Sequence, residues 1–297
     1  MSFIHLRLSF IGDRAIIGIK IIKYGCVKKT GIPDWKGSLM KYFIVDAFTD
    51  KLFKGNPAGV CLLNEWLDSD IMQNIAFENN LSETAFIVNR ENHYELRWFT
   101  PEVEVDLCGH ATLAGAFIIS RYVDRNAAVM HFKTMSGVLT VCKTGDTYEL
   151  DFPARKPKRI ELTAQMNQSI GMAALEAHLS RDLLLLLENE QQVRGLAPDF
   201  TLIKQIPDCM AVIVTAKGQT TDFVSRFFAP AVGIPEDPVT GSAHSTLIPF
   251  WAERLNKEEM IASQLSKRGG TLYCKNCGDR VRIAGKAVLY LQGEIEV

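Results

Sequence analysis

The chain has 297 residues, 47% hydrophobic and 23% charged, with 33 Lys and Arg against 34 Asp and Glu, a formal net charge of −1. That length suits two domains, and that apolar fraction excludes a mainly disordered chain. Near-zero charge excludes a general nucleic-acid binder, and no apolar run approaches the roughly 20 residues that span a bilayer.

Residues 1–39 stand apart. They carry seven Lys and Arg against Asp13 and Asp34, so +5, which leaves −6 on the other 258 residues. Lys36-Gly37-Ser38-Leu39-Met40 runs directly into the first predicted strand, and codons for Lys-Gly-Ser can form a ribosome-binding sequence before Met40. The expectation is that Met40 is the natural start and 1–39 a translated leader. The alternative is a genuine extension that packs on the body or mediates contacts. The apolar run Ala15–Ile22 is broken by Lys20, and no secretory cleavage site follows it. Seven cysteines, an odd number with one close pair, fit a reducing, cytoplasmic setting better than a disulfide framework.

Beyond residue 40, short β-branched and aromatic runs predict strands over Tyr42–Phe48, Gly59–Leu63, Thr84–Val88, Tyr94–Phe99, Val129–Thr134, Val138–Cys142, Tyr148–Phe152, Leu202–Ile206, Ala211–Thr215, Phe223–Phe228, Arg280–Ala284 and Ala287–Gln292. Helical spacing predicts helices over Ser69–Asn79, His110–Tyr122, Ser180–Asn189 and Ser242–Leu255. Strands outnumber helices, so the fold class is α+β. The Pro- and charge-rich stretch Pro153–Arg159 divides the body, giving an extension 1–39 and domains 40–153 and 154–297.

The two halves look related. Phe99-Thr100-Pro101-Glu102-Val103 and Phe228-Ala229-Pro230-Ala231-Val232 share Phe-x-Pro-x-Val. Each continues to a Gly-x-Ala, at Gly109 and Gly241, that opens an apolar helical pattern. The second copy is three residues longer between these landmarks. A spacing of this size suits a duplicated domain rather than a solenoid. Two helix starts facing one cleft would offer free N–H groups and partial positive charge to a carboxylate. The alternative is a pair of ordinary helix caps.

Polar residues gather at the same two places: Cys108 and His110 at the first, Glu236, Asp237, Thr240, Ser242 and His244 at the second. Glu83, beside Ser82, stands at the mouth of the apolar run Ala85–Val88. A carboxyl in such surroundings has its pKa raised toward neutrality, which suits proton transfer; the alternative, and on the residues alone the commoner outcome, is a surface carboxylate at a strand start. Cys274-Lys275-Asn276-Cys277 has zinc-knuckle spacing but no second ligand pair nearby, so a hairpin turn with two free thiols is expected. Leu183–Leu187 reads as a core or interface segment, and His244 as either a cleft residue or a structural one.

Several segments together resemble the phenazine-biosynthesis (PhzF-like) isomerase family. They are Val45-Asp46-Ala47-Phe48-Thr49, Gly55-Asn56-Pro57-Ala58-Gly59-Val60, Leu81-Ser82-Glu83-Thr84-Ala85-Phe86, Arg97-Trp98-Phe99-Thr100-Pro101, Cys108-Gly109-His110-Ala111-Thr112, Glu236-Asp237-Pro238-Val239-Thr240-Gly241-Ser242-Ala243 and Val281-Arg282-Ile283-Ala284-Gly285-Lys286-Ala287-Val288. The resemblance runs from about Tyr42 to the end and has no counterpart for 1–39. It implies the diaminopimelate-epimerase-like fold: two pseudo-symmetric domains, each a curled, mostly antiparallel sheet around a central helix, with the active site in the cleft between them.

It also implies cofactor-independent isomerisation of a small, possibly cyclic carboxylic acid by proton transfer. The family's namesake acts on trans-2,3-dihydro-3-hydroxyanthranilate. The resemblance puts the catalytic groups on Glu83, His110 and Asp237, and substrate binding on Ser82, Gly109, Thr240, Gly241 and Ser242. No metal or cofactor is expected; the partner is a small carboxylate, not nucleic acid or membrane, and the assembly a homodimer. Three rivals remain. A two-base racemase or epimerase would need a second thiol where Thr240-Gly241 stands. A cysteine hydrolase would need Cys108 and His110 aligned with a third orienting group. A non-catalytic small-molecule-binding protein could keep the scaffold without the chemistry.

Overall fold

The chain divides into two compact units, Met1–Ser38 and Leu39–Val297. A computed structural model describes residues 3–11, 14–22 and 39–297 of them. In the first unit, Phe3–Ile11 and Arg14–Ile22 form an antiparallel hairpin with Phe3 opposite Ile22 and Ile11 opposite Arg14. No strand was expected there, although Ile4, Leu6, Leu8 and Phe10 alternate with His5, Arg7 and Ser9 at strand period. The segment 23–38, on which the leader expectation largely turns, lies outside the described residues.

The second unit contains two lobes built to one plan. In the first, Leu39–Ala47 is antiparallel to Asn56–Leu63. Helix Ser69–Asn79 then crosses to Glu83–Asn89, parallel to Asn56–Leu63, and Tyr94–Phe99 returns antiparallel. A loop leads into the central helix Gly109–Ile118. A three-strand meander, Val129–Thr134, Gly137–Thr144 and Thr147–Pro153, closes the lobe, its first strand parallel to Tyr94–Phe99.

The second lobe repeats each step. Glu176–Leu179 is antiparallel to Leu183–Leu186, and Val212–Lys217 is parallel to that strand. Phe223–Phe228 returns antiparallel. A loop leads into the central helix Gly241–Leu255. The meander Glu259–Gln264, Gly270–Cys277 and Arg280–Gly285 follows, its first strand parallel to Phe223–Phe228. The same sequence of parallel and antiparallel steps in both lobes is the signature of a duplication.

Two pairings join the lobes into one ladder. Thr147–Pro153 of the first meander is antiparallel to Arg280–Gly285 of the second. The last strand, Ala287–Glu296, crosses back to pair antiparallel with Leu39–Ala47. Its counterpart in the second lobe is the short Lys158–Ile160, which pairs with Glu176–Leu179.

Each central helix is apolar all round because sheet surrounds it. Every residue from His110 to Ile118 is buried, as are Gly241 and Ala243–Ala252. Pro249 sits inside the second helix and cannot donate to the carbonyl of Ser245. That carbonyl instead accepts the backbone N–H of Arg155, 2.8 Å away, which fastens the inter-lobe connection to the helix.

Some elements differ from expectation. Ser180–Asn189 is not a helix but a turn and the strand Leu183–Leu186, buried at every residue. Leu202–Ile206 is not a strand, because Phe200–Lys204 is helical, started by Asp199 whose carboxylate accepts from the N–H groups of Thr201 and Leu202. The helix expected over His110–Tyr122 ends at Ile118 and continues as a single π-helical turn, Ile119–Val123. Cys274 lies buried within a strand, and the turn begins only after the exposed Cys277; both thiols are free. Among the described residues, no helix is long and apolar enough to cross a membrane.

Candidate active site

The two helix starts meet. A Cβ placed on Gly109 would lie 3.7 Å from the Gly241 Cα, so the backbones approach to contact distance across the lobes. Neither start is capped by a side chain. Cys108, before Gly109, makes no cap, and the Thr240 hydroxyl donates to Asp237 Oδ2 at 2.5 Å instead. First-turn N–H groups of two helices, with their partial positive charge, are thereby left to the cleft.

Glu83 opens the strand Glu83–Asn89, just after helix Ser69–Asn79 and the left-handed residue Asn80. Its carboxyl is 14% exposed and its Oε2 lies 3.2 Å from His110 Nε2. The two atoms are not aligned for a hydrogen bond, and both are buried without another partner among the described residues. Burial, the Asp237 charge and an opposing Cys108 hydrogen bond set the Glu83 carboxyl at about 8. Burial lowers His110 to about 3, so its imidazole is neutral. At the other ring nitrogen, Cys108 Sγ lies 3.5 Å from His110 Nδ1.

Asp237 faces this group from the second lobe. Asn56 of the first lobe donates to its Oδ1 at 2.8 Å and to the Val239 carbonyl at 2.9 Å. Gln264 holds the same loop: its amide donates to the Asp237 carbonyl and the Thr240 hydroxyl, and its Oε1 accepts the Thr240 N–H. Burial raises Asp237 to about 6, against the lowering effect of the Thr240 and Asn56 hydrogen bonds.

The cleft between these groups encloses about 160 Å³. At about 10–15 Å³ per water-sized occupant, that is room for on the order of ten non-hydrogen atoms. Of the residues expected from sequence, Glu83, Gly109, His110, Asp237, Thr240, Gly241 and Ser242 line it together. Ser82 is half-buried beside Glu83 and is not part of the lining. His244 turns away, with Nδ1 2.8 Å from the Thr240 carbonyl, and is structural. Sequence reasoning missed Gln264, Arg181 and Asp182. Asn56 carried a signal in Gly55-Asn56-Pro57, while Arg181 and Asp182 were hidden inside a helix that does not form.

A matched pair of clamps holds the two loops that lead into the central helices. In the first lobe Arg97 grips Glu104 through Nε at 2.6 Å and Nη2 at 2.7 Å, and its guanidinium lies 5.2 Å from the Phe99 ring centre. In the second Arg226 grips Glu236 at 2.7 and 3.0 Å and lies 5.0 Å from the Phe228 ring centre. Each Arg is two residues before its Phe, and each Glu five residues before the helix-opening glycine.

Glu83, Cys108 and His110 each offer a donor atom within 4.8 Å of the others, the one cluster with metal-ligand spacing among the described residues. The three also form the thiol–imidazole–carboxylate line a cysteine nucleophile would need, so the third orienting group that was not evident in sequence is Glu83. The electrostatics oppose the nucleophile. Burial, then the Glu83 charge, pushes the Cys108 thiol well up, and the neutral imidazole provides no cation to bring it down.

Residues 45–293 match the family model described as phenazine biosynthesis-like protein. An uncharacterized isomerase of Pseudomonas aeruginosa is 49% identical over 255 residues, covering 86% of this chain and 98% of that one. The crystal structure of a PhzF-family phenazine biosynthesis protein of Enterococcus faecalis superposes with a TM-score of 0.86 at 48% identity, covering 88% of this chain and all of that one. The chain belongs to the phenazine biosynthesis-like protein family, and it is an isomerase. The two-lobed fold extends further, to a hydroxyproline epimerase of Agrobacterium vitis with a TM-score of 0.58 at 11% identity, covering 89% of this chain and 94% of that one.

Proposed function

We propose that this isomerase moves a proton between carbons of a small, conjugated carboxylic acid, with Glu83 carrying the proton and no cofactor taking part. The carrying observation is the Glu83 carboxyl, buried, with Oε2 unpartnered among the described residues and a pKa of about 8. A carboxyl poised there is a stronger base than an ordinary one and gives the proton back readily.

In this reading the substrate carboxylate lies against the first-turn N–H groups at Gly109 and at Gly241–Ser242. Those groups also steady charge that develops as the carbon loses its proton. Glu83 takes the proton from one carbon and returns it to another of the same conjugated system. Neutral His110 and Asp237 bind the polar substituents and relay protons on oxygen or nitrogen. The apolar walls, Phe152, Phe227 and Ile234, exclude water that would exchange with the travelling proton. The two-base rival is weakened because the Thr240 hydroxyl, in the position of a second thiol, is committed to Asp237.

The test is solvent-deuterium incorporation, read by mass spectrometry, into a panel of small carboxylic acids that includes trans-2,3-dihydro-3-hydroxyanthranilate and simple amino and hydroxy acids. Wild type should exchange or isomerise at least one compound, and Glu83→Gln should lose at least a thousandfold of that rate, on the order of 4 kcal/mol in the barrier. Exchange that survives in Glu83→Gln would overturn the assignment.

A further inference from the structure

The cleft lining carries one cation among the described residues, Arg181. It sits on the turn between Glu176–Leu179 and Leu183–Leu186, directly beside the start of the second central helix. Its Nε and Nη2 are held by Asp182, at 2.7 to 3.2 Å, and Nη2 also donates to Ser242 Oγ at 3.2 Å. The Asp182 side chain is fully buried, so the guanidinium is fixed from behind by a carboxylate that cannot leave. Nη1 makes no hydrogen bond to a described residue, and the side chain stays 33% exposed on the cleft side.

A second guanidinium stands close by. Arg155 is pinned through its backbone to Ser245 of the same helix, and its Nη1 is buried with no partner among the described residues. Burial and the Arg181 charge both disfavour its charged form. Asp182 is within ion-pair distance of Arg181, while Arg155 feels the Asp182 and Asp106 charges from further off, beside a helix start that is itself positive. The rest of the cleft lining offers an anion no other positive side chain: Glu83 and Asp237 are acids and His110 is neutral.

We propose that Arg181 is the specificity-determining residue that selects an anionic substrate, its free Nη1 meeting a carboxylate seated at Gly241 and Ser242. The assignment rests on the reading of the cleft as a site for a carboxylic acid. The helix starts supply hydrogen bonds that a neutral amide could also accept, whereas Arg181 supplies the charge that separates an acid from its amide.

The experiment is calorimetric titration of the full chain with anthranilate and with anthranilamide, a ring acid and its near-isosteric neutral partner. Wild type should bind the acid at least about tenfold more tightly, the size of one charge-assisted contact. Arg181→Gln should bring the ratio to within about twofold by weakening the acid alone, the unchanged amide affinity reporting an intact cleft. Arg181→Lys should recover part of the preference. A tenfold preference kept by Arg181→Gln overturns the assignment, as does a wild type that prefers neither compound or binds neither. Loss of the preference in a protein that catalyses no exchange would remove the isomerisation reading and leave Arg181 in place. Exchange with an unaltered preference would do the reverse.

Discussion

The role proposed for Glu83, deprotonating carbon, needs a charged form that is costly but reachable, and its buried carboxyl has both properties. Its carboxyl titrates near 4.5 when free and at about 8 in the fold. Only the ionised form accepts a proton, so kcat/KM should rise about tenfold per pH unit below that value and level off above it. The Asp237 charge is one cause of the raised value, so Asp237→Asn should move the inflection to lower pH in whatever activity remains. His110, at about 3, adds no inflection near neutrality. Stability carries the same signature with opposite sense. Between 4.5 and about 8 the fold keeps a proton that the unfolded chain has released, so the fold loses stability as pH rises through that window. Glu83→Gln removes this penalty. Its Tm should exceed that of wild type at pH 8 by several degrees and match it at pH 4, a comparison that scanning calorimetry at the two pH values decides.

Among the elements, the two Arg–Glu clamps convert a fold-level duplication into placement of chemistry. Arg226 and Glu236 fix the residue before Asp237, whose own N–H donates to the Phe227 carbonyl. Arg97 and Glu104 fix the loop that ends in Cys108, Gly109 and His110. Arg226→Lys keeps the charge but not the two-pronged contact. It should lower kcat by about tenfold, near 1.4 kcal/mol, with a smaller change in KM and a modest loss of Tm, all read from steady-state kinetics and thermal unfolding. These clamps are not legible in the sequence: Arg97-Trp98-Phe99 and Glu236-Asp237 lie in the family motifs, but pairing across a loop needs three dimensions. The same limit explains the misread elements. Leu183–Leu186 pairs on both edges and is buried on both faces, so its apolar run has no strand period to betray it. Glu259–Gln264 alternates at strand period, and Asp199 caps Phe200–Lys204, so both carry a local signal in the sequence. Tyr94–Phe99 and Phe223–Phe228, short runs rich in aromatic and β-branched residues, matched their predicted bounds.

For the molecule as a whole, the lobes are stitched along one side of the cleft. Gly55 N–H meets the Gly269 carbonyl at 2.7 Å, Thr271 N–H meets the Phe48 carbonyl at 3.0 Å, and Arg268 reaches Asp46 at 2.6 Å. Phe48 adopts a φ of +61°, rare for a bulky residue, and its ring presses on Gly285. A Cβ at Gly285 would sit 2.4 Å from the ring, which its strained backbone keeps from moving aside. Gly285→Ala should cost about 2–3 kcal/mol, read as a lowered urea midpoint with the slope unchanged. The repeated Phe-x-Pro-x-Val and Gly-x-Ala landmarks made the duplication readable, and the family motifs made most of the site readable. The seam was not, because its bonds join residues more than two hundred positions apart. The last strand has a consequence for synthesis on the ribosome. The first lobe emerges early but lacks Ala287–Glu296, so Leu39–Ala47 keeps one bare edge throughout translation of the second lobe. A nascent chain stalled anywhere before Ala287 carries that adhesive edge, the feature that draws neighbouring chains, chaperones and proteases. Pairing with Ala287–Glu296 covers that edge, so the returning strand closes the first lobe only once the second lobe has been made.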